Sequence, residues 1–509
     1  EQNDFSFFGS SSSISLTNIF DACKAGDLDN VQQLARNGVD VCRANGKGWP
    51  LMLLACFYGH LNIVQFLFQN GAQDDVRRPN NDGDTPMLIA CQEDRLNIVQ
   101  FLFQNGATDD VRRPNNYGRT PMFAACRDGH LSIVQFLFQN GAKDDVRRPG
   151  NYGKTPMYIA CQEGHLNIVQ FLFQNGAKDD VRRLNNKGWT PMFHACYSGH
   201  LTIVQFLFQN GAKDDVRRPN NDGETPMLIA CQEDHLNTVQ FLFQNGAKDD
   251  VRRPCNFGET PMLTACQKGH LNIVQFLFQN GAKDDVRRPN NDGDTPMYIA
   301  CYKDHLNIVQ FLFQNGAKDD VRRPANNGQT PMLIACAKDH LNIVQFLFQN
   351  GAKDDVRRPN SKGATPMLIA CQKDNFAIVQ YLHNHGAAPD INTPSFQQQT
   401  PLQITCQNNH LHIVQWLIQQ GTPTKNNIST WFNKLNVQNR RILFQQAVAN
   451  RDVAHESLIL FACVVRNGHA AQNILHALDT GLLLDKISSY VEGIQSTRSL
   501  WYHIVQHGP

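Results

Sequence analysis

No apolar run in this chain extends beyond the eight residues of "LMLLACFY" (51–58) or "LILFACVV" (458–465). Both fall far short of the ~20 residues a membrane-spanning helix needs, so no membrane insertion is expected. Net charge is equally scarce, with 47 basic side chains against 46 acidic ones. No global field recruits nucleic acid or an anionic surface, and neither is expected as a partner. None of the fifteen cysteines forms a CxxC pair, which removes the common zinc and dithiol signatures. The motifs GxxxxGK[ST], GxGxxG, HExxH and GxSxG are absent as well, so the sequence offers no phosphate cradle, metalloprotease helix or nucleophile elbow. No catalytic residue, no metal and no cofactor are expected.

What the chain has in abundance is itself. The segment "LNIVQFLFQNGA" occurs six times unchanged, first at 61–72, and three further copies differ at one position. Aligning on an Ala-Cys pair gives one interval of 33 residues, Cys23 to Cys56, followed by ten of 35 up to Cys406. These are twelve repeats, and a period of this size marks stacked supersecondary units. Within a unit, Thr85 is placed to cap a helix that begins at Pro86, where proline's missing N–H costs nothing. "RLNIVQFLFQNG" gives a second helix, with Ile98, Val99, Leu102 and Phe103 on the face expected to be buried. Gly106 stops it, and Pro114 keeps the connecting loop from continuing as helix. One helix pair cannot bury its own apolar face, so the expected core is continuous along a stack.

Twelve cysteines hold one equivalent position per repeat. Stacked helices lie about 8–10 Å apart, too far for disulfides between them. They read as small buried hydrophobes, which points to a reducing, cytoplasmic compartment. The chain begins at Glu1 and all ten methionines lie inside repeats, so a removed targeting segment remains an open alternative.

The segments "TPM…AC" (Thr85, Pro86, Ala90), the "GH" or "DH" turns (Gly129 with His130, Asp234 with His235), "IVQFL" and "NGA" resemble those of the ankyrin-repeat family. That resemblance implies an all-α solenoid whose concave groove binds protein partners. Two departures stand out. The family's histidine two residues after the proline is replaced by Leu88, Phe123, Tyr158 or Phe193, and the units are two residues longer, the excess falling in "DDVRRPNN". The expected organisation is a mobile lead-in at 1–15, an array at 16–424, and a helical region at 425–509 that caps the exposed end.

Nine histidines recur at the start of the second helices, too widely spread to converge on one ion; they read as turn residues. His194 stands alone at a position otherwise held by Ile, Leu, Ala or Thr. The nine "DDVRR" loops read as cross-repeat ion pairs, with an arginine stripe for phosphate or an acidic partner as the alternative. A residual enzyme reading rests on His455, Glu456 and His469. Within one chain, positions that differ between repeats are those the stack does not dictate. They place a protein partner of unknown identity on Tyr117, Arg119, Tyr152, Lys154, Trp189, Phe193, His194 and Tyr197. The expected function is a non-catalytic binding scaffold. The alternative is a homo-oligomer that self-assembles into fibres or sheets through an aromatic row on the second helices, with Phe171, Phe206 and Phe241 as candidates.

Overall fold

Each repeat is built from its punctuation inward. In the fifth, the Thr155 hydroxyl accepts the Tyr158 N–H at 3.2 Å, Pro156 takes the first helical position, and the helix runs Pro156–Glu163. It stops at Gly164, whose φ of 87° is left-handed. A side chain there would also strike the next repeat, because a Cβ would lie 2.7 Å from His200 Cε1. The second helix, Leu166–Gln174, buries Ile168, Val169 and Leu172, each contributing about 1.5–3 kcal/mol relative to exposure. It ends at Asn175, whose Nδ2 donates to the carbonyl of Phe171 at 2.8 Å and so satisfies an otherwise unpaired helical acceptor.

The computed structural model describes residues 18–420, 434–436 and 439. The lead-in and nearly all of the expected capping region, His455, Glu456 and His469 included, lie outside the described residues. Among these the pattern returns as 24 α-helices in pairs, without a strand; an isolated bridge joins Ala44 and Pro50. None of the helices is long and apolar enough to cross a membrane. The chain divides into two compact units, 1–264 and 265–509.

The cysteines behave as expected. The twelve equivalent ones are buried, and burial holds the Cys23 thiol up at about 12. Three other expectations are corrected. Phe103 and its equivalents are half-buried rather than core. "DDVRR" is not an open loop but a 3₁₀ turn, as at Lys178–Arg182. Its ions are also not confined to the surface, since Asp110, Asp145, Asp180, Asp215 and Asp250 are fully buried.

Those aspartates carry the ion ladder. Arg77 Nε reaches Asp110 Oδ1 of the next repeat at 3.4 Å, and Arg182 reaches Asp215 at 3.3 Å. Burial raises the Asp110 carboxyl above its ordinary range, with Arg77 and Arg113 pulling the other way. The desolvation cost of the buried carboxylate thus offsets much of what the pairing contributes to stability.

The histidines tie repeats together. His200 Nε2 donates to the carbonyl of Gln162 at 3.0 Å, at the end of the preceding first helix. At several stops Asp replaces Gly and its carboxylate approaches the histidine of the next repeat, as Asp94 does His130 at 3.5 Å and Asp374 does His410 at 3.2 Å.

Candidate functional site

In the first unit, the variable residues of repeats five and six assemble into one aromatic cluster. Backbone bonds close the hairpin tip of repeat six, with Asn185 N–H donating to the carbonyl of Trp189 at 3.0 Å. This lays Trp189 against the first helix of its own repeat, Pro191–Tyr197. Its ring lies 4.9 Å from Phe193, 5.2 Å from His194 and 6.0 Å from Tyr197, all tilted. Tyr158 of the fifth repeat closes the cluster from below. Its hydroxyl accepts from Asn185 Nδ2 at 2.9 Å, which leaves its proton for His194 Nδ1 at 3.2 Å.

Burial decides which of these groups can meet a partner. Phe193 is 1% exposed and His194 7%. The expectation that both contact a partner directly is therefore corrected: they support the surface from beneath. Burial, reinforced by the nearby Lys154, pushes the His194 imidazole down to about 3, so it is neutral at physiological pH. Tyr152 is 74% exposed, Tyr117 50% and Tyr197 38%, while Trp189 is half-buried. Tyr117 leans across to repeat three, its hydroxyl donating to Asp82 Oδ1 at 3.2 Å, with the Arg119 guanidinium over its ring. Lys154 donates to Gln162 Oε1 at 2.8 Å and stands 5.6 Å from the Tyr158 ring centre. Half-burial lowers its ammonium from the ordinary value. Lys187 lies 6.0 Å from the ring of Trp189.

The face thus offers exposed rings with cations beside them. Sequence reasoning named most of the cluster but missed Tyr158 and Lys187 as members. Both were visible as variable positions; Lys187 stands beside Trp189 in the same tip, while Tyr158 joins from the preceding repeat through His194 and Asn185.

The candidates on the second helices fare differently. Phe171, Phe206 and Phe241 are half-buried, each meeting a ring of the preceding repeat edge-on. Phe138–Phe171, Phe173–Phe206 and Phe208–Phe241 have centroids 5.5 Å apart and interplanar angles of 85–86°. The outer ring of each pair carries a lysine, Lys143, Lys178 or Lys213, at 5.8–6.0 Å. This is a seam between repeats.

Among the described residues no group of three or more His, Cys, Asp or Glu is placed to hold a metal ion. Family models described as "Ankyrin repeats (3 copies)" match residues 19–113, 107–183, 177–253, 248–323 and 318–395, and an "Ankyrin repeat" model matches 397–430. A search of curated proteins finds no match. Ankyrin repeats are generally protein-interaction modules. With matches over most of its length and a helix pair, capped by Thr-Pro, in nearly every repeat, the chain belongs to the ankyrin-repeat family.

Proposed function

We propose that this chain is a non-catalytic scaffold that holds a protein partner on the tips and first helices of repeats four to six. The observation that supports this most is the ring cluster around Trp189, half-exposed above the buried Phe193 and His194. Rigid aromatic anchors seated on a packed floor lose little entropy on binding and dominate interface energies. Arg119, Lys154 and Lys187 beside them favour a partner segment that pairs apolar side chains with carboxylates.

The test is a partner captured by the full chain, followed by Trp189→Ala and Tyr152→Ala. The double variant is expected to weaken binding by about 2 kcal/mol or more while its helical signal and melting profile stay near those of the parent. Unchanged affinity in a folded variant removes this location.

The self-assembly alternative finds less support. Its rings at Phe171, Phe206 and Phe241 are half-buried and already meet Phe138, Phe173 and Phe208 edge-on.

A further inference from the structure

The tip sequence "PNNDGDTPM" occurs twice, at 79–87 in repeat three and at 289–297 in repeat nine. The two copies have different neighbours, which makes each a control for the other. In the first, the carboxylates are occupied from repeat four. Asn115 Nδ2 donates to Asp84 Oδ1 at 2.8 Å, and Tyr117 donates to Asp82 Oδ1 at 3.2 Å. In the second, the positions of Asn115, Tyr117 and Arg119 are held by Ala325, Asn327 and Gln329. The backbone contact survives, with Asn326 N–H donating to the carbonyl of Asp292 at 3.1 Å. The side-chain donors do not. Asp294 keeps its own repeat's Asn290, and among the described residues no basic side chain comes within ion-pair distance of Asp292 or Asp294.

A cleft of about 430 Å³ lies at this place, lined by Asp292, Asp294, Tyr298, Ile299, Tyr302 and Ile334 among others. Tyr298 forms its floor; it is 5% exposed and its hydroxyl donates to Gln329 Oε1 at 2.9 Å. Burial, with the Asp294 charge adding to it, holds that phenol up at about 12. Half-burial and the like charge of Asp292 raise the Asp294 carboxyl. Lys303 and Lys338 stand at 4.9 and 4.5 Å from the Tyr302 ring centre, each followed in the chain by an aspartate, Asp304 or Asp339. They occupy the ring, not the carboxylates.

We propose that this cleft binds the guanidinium of an arginine side chain carried by a protein segment, at a site separate from the Trp189 cluster. The copy in repeat three shows what the acid pair takes, namely N–H and O–H donors from outside its own repeat. An arginine supplies several such donors in one plane, and its weakly hydrated face packs on Tyr298, Ile299 and Ile334 of the lining. A divalent cation fits less well, because two carboxylates with no third acidic, histidine or cysteine group nearby leave it short of ligands. The acid pair Asp222 and Glu224 of repeat seven has Leu228 and Gln232 where this cleft has Tyr298 and Tyr302. It lacks the aromatic wall and serves as the internal comparison.

The probe is N-acetyl-arginine amide, with N-acetyl-citrulline amide as its uncharged isostere, each titrated into the full chain and followed by ligand-observed NMR. The arginine compound is expected to bind and the citrulline compound to bind at least about tenfold more weakly, a difference of about 1.4 kcal/mol. Asp294→Asn is expected to remove that preference. Ala325→Asn installs the residue found at this position in repeats three, four, six, seven, nine and eleven, so it is expected to fold, donate to Asp294 and displace the ligand. Tyr152→Ala is expected to leave arginine binding unchanged. Equal binding of the two probes, or an Ala325→Asn protein that binds arginine as the parent does, overturns the proposal. The assay uses no protein partner, so its failure is distinguishable from failure of the repeat four-to-six reading.

Discussion

The same place in the repeat is built once with cations and once with anions. Lys154, Tyr158, Asn185, Trp189 and His194 in repeats five and six correspond, at a spacing of four repeats, to Asp294, Tyr298, Ala325, Gln329 and Ile334 in repeats nine and ten. Both sites keep a buried tyrosine on the first helix, with its hydroxyl tied to the next repeat: Tyr158 to His194 and Asn185, Tyr298 to Gln329. In the first, Trp189 lies against Phe193, His194 and Tyr197 and the site becomes a raised aromatic surface. In the second, Gln329 stands in place of the tryptophan and a cleft lies there. The frame of helices sets where a variable side chain stands. Two or three tip residues then decide whether the place is filled or open, and which charge it displays.

The largest effect that separates the two sites is on stability. Tyr158→Ala removes a ring that is 1% exposed and packed under other rings, so a loss of about 3–5 kcal/mol is expected. Tyr298→Ala enlarges a cleft already open to solvent and is expected to cost clearly less. Denaturant melts of the two variants in the full chain decide this, and equal losses would show that the cleft is as tightly packed as the cluster.

The next effect is in pH. The folded His194 titrates near 3 against 6.5 for the ordinary group. A depressed folded value gives stability that is complete above about 6.5 and drains away as pH falls toward 3, because the unfolded chain takes up the proton first. Ile334 at the equivalent place has no such term. His194→Gln is therefore expected to flatten the acid-side loss of stability between pH 6.5 and 4, measured as melting temperature against pH. A variant with the parent's slope would mean that His194 is charged in the fold.

The smallest effect concerns what the two sites share. Phe206→Gln breaks one edge-to-face pair with Phe173, and a loss of about 0.5–1.5 kcal/mol beyond the lost burial is expected. Sedimentation of the variant is expected to match the parent. Loss of an assembled form in a still-folded variant would return the second-helix row to the role of a self-association surface.

Much of this was legible before any coordinates. The Thr-Pro helix starts, the glycine stops, the cysteine row and the buried Ile-Val-Leu triplet are local or periodic features, and each follows from a side chain acting on its own backbone or its own helix face. The burial of Asp110 and the half-exposure of Phe103 were not legible. Both depend on how far one repeat is rotated and shifted against the next, and no spacing within a single repeat contains that quantity. The same limit hid Tyr158 and the acid cleft.

The sequence by itself determined the repeat, its helices, its twelvefold count and the family to which it belongs, because these rest on periodicity and capping chemistry that are complete within 35 residues. Only the tertiary structure decided which variable residues meet. Tyr158 and His194 are 36 residues apart in the chain and share a hydrogen bond, while Phe193 and Tyr197 lie on one helix and differ in exposure from 1% to 38%. The physical reason is that a surface site here belongs to the junction of two repeats, where packing sets distance, burial and charge together.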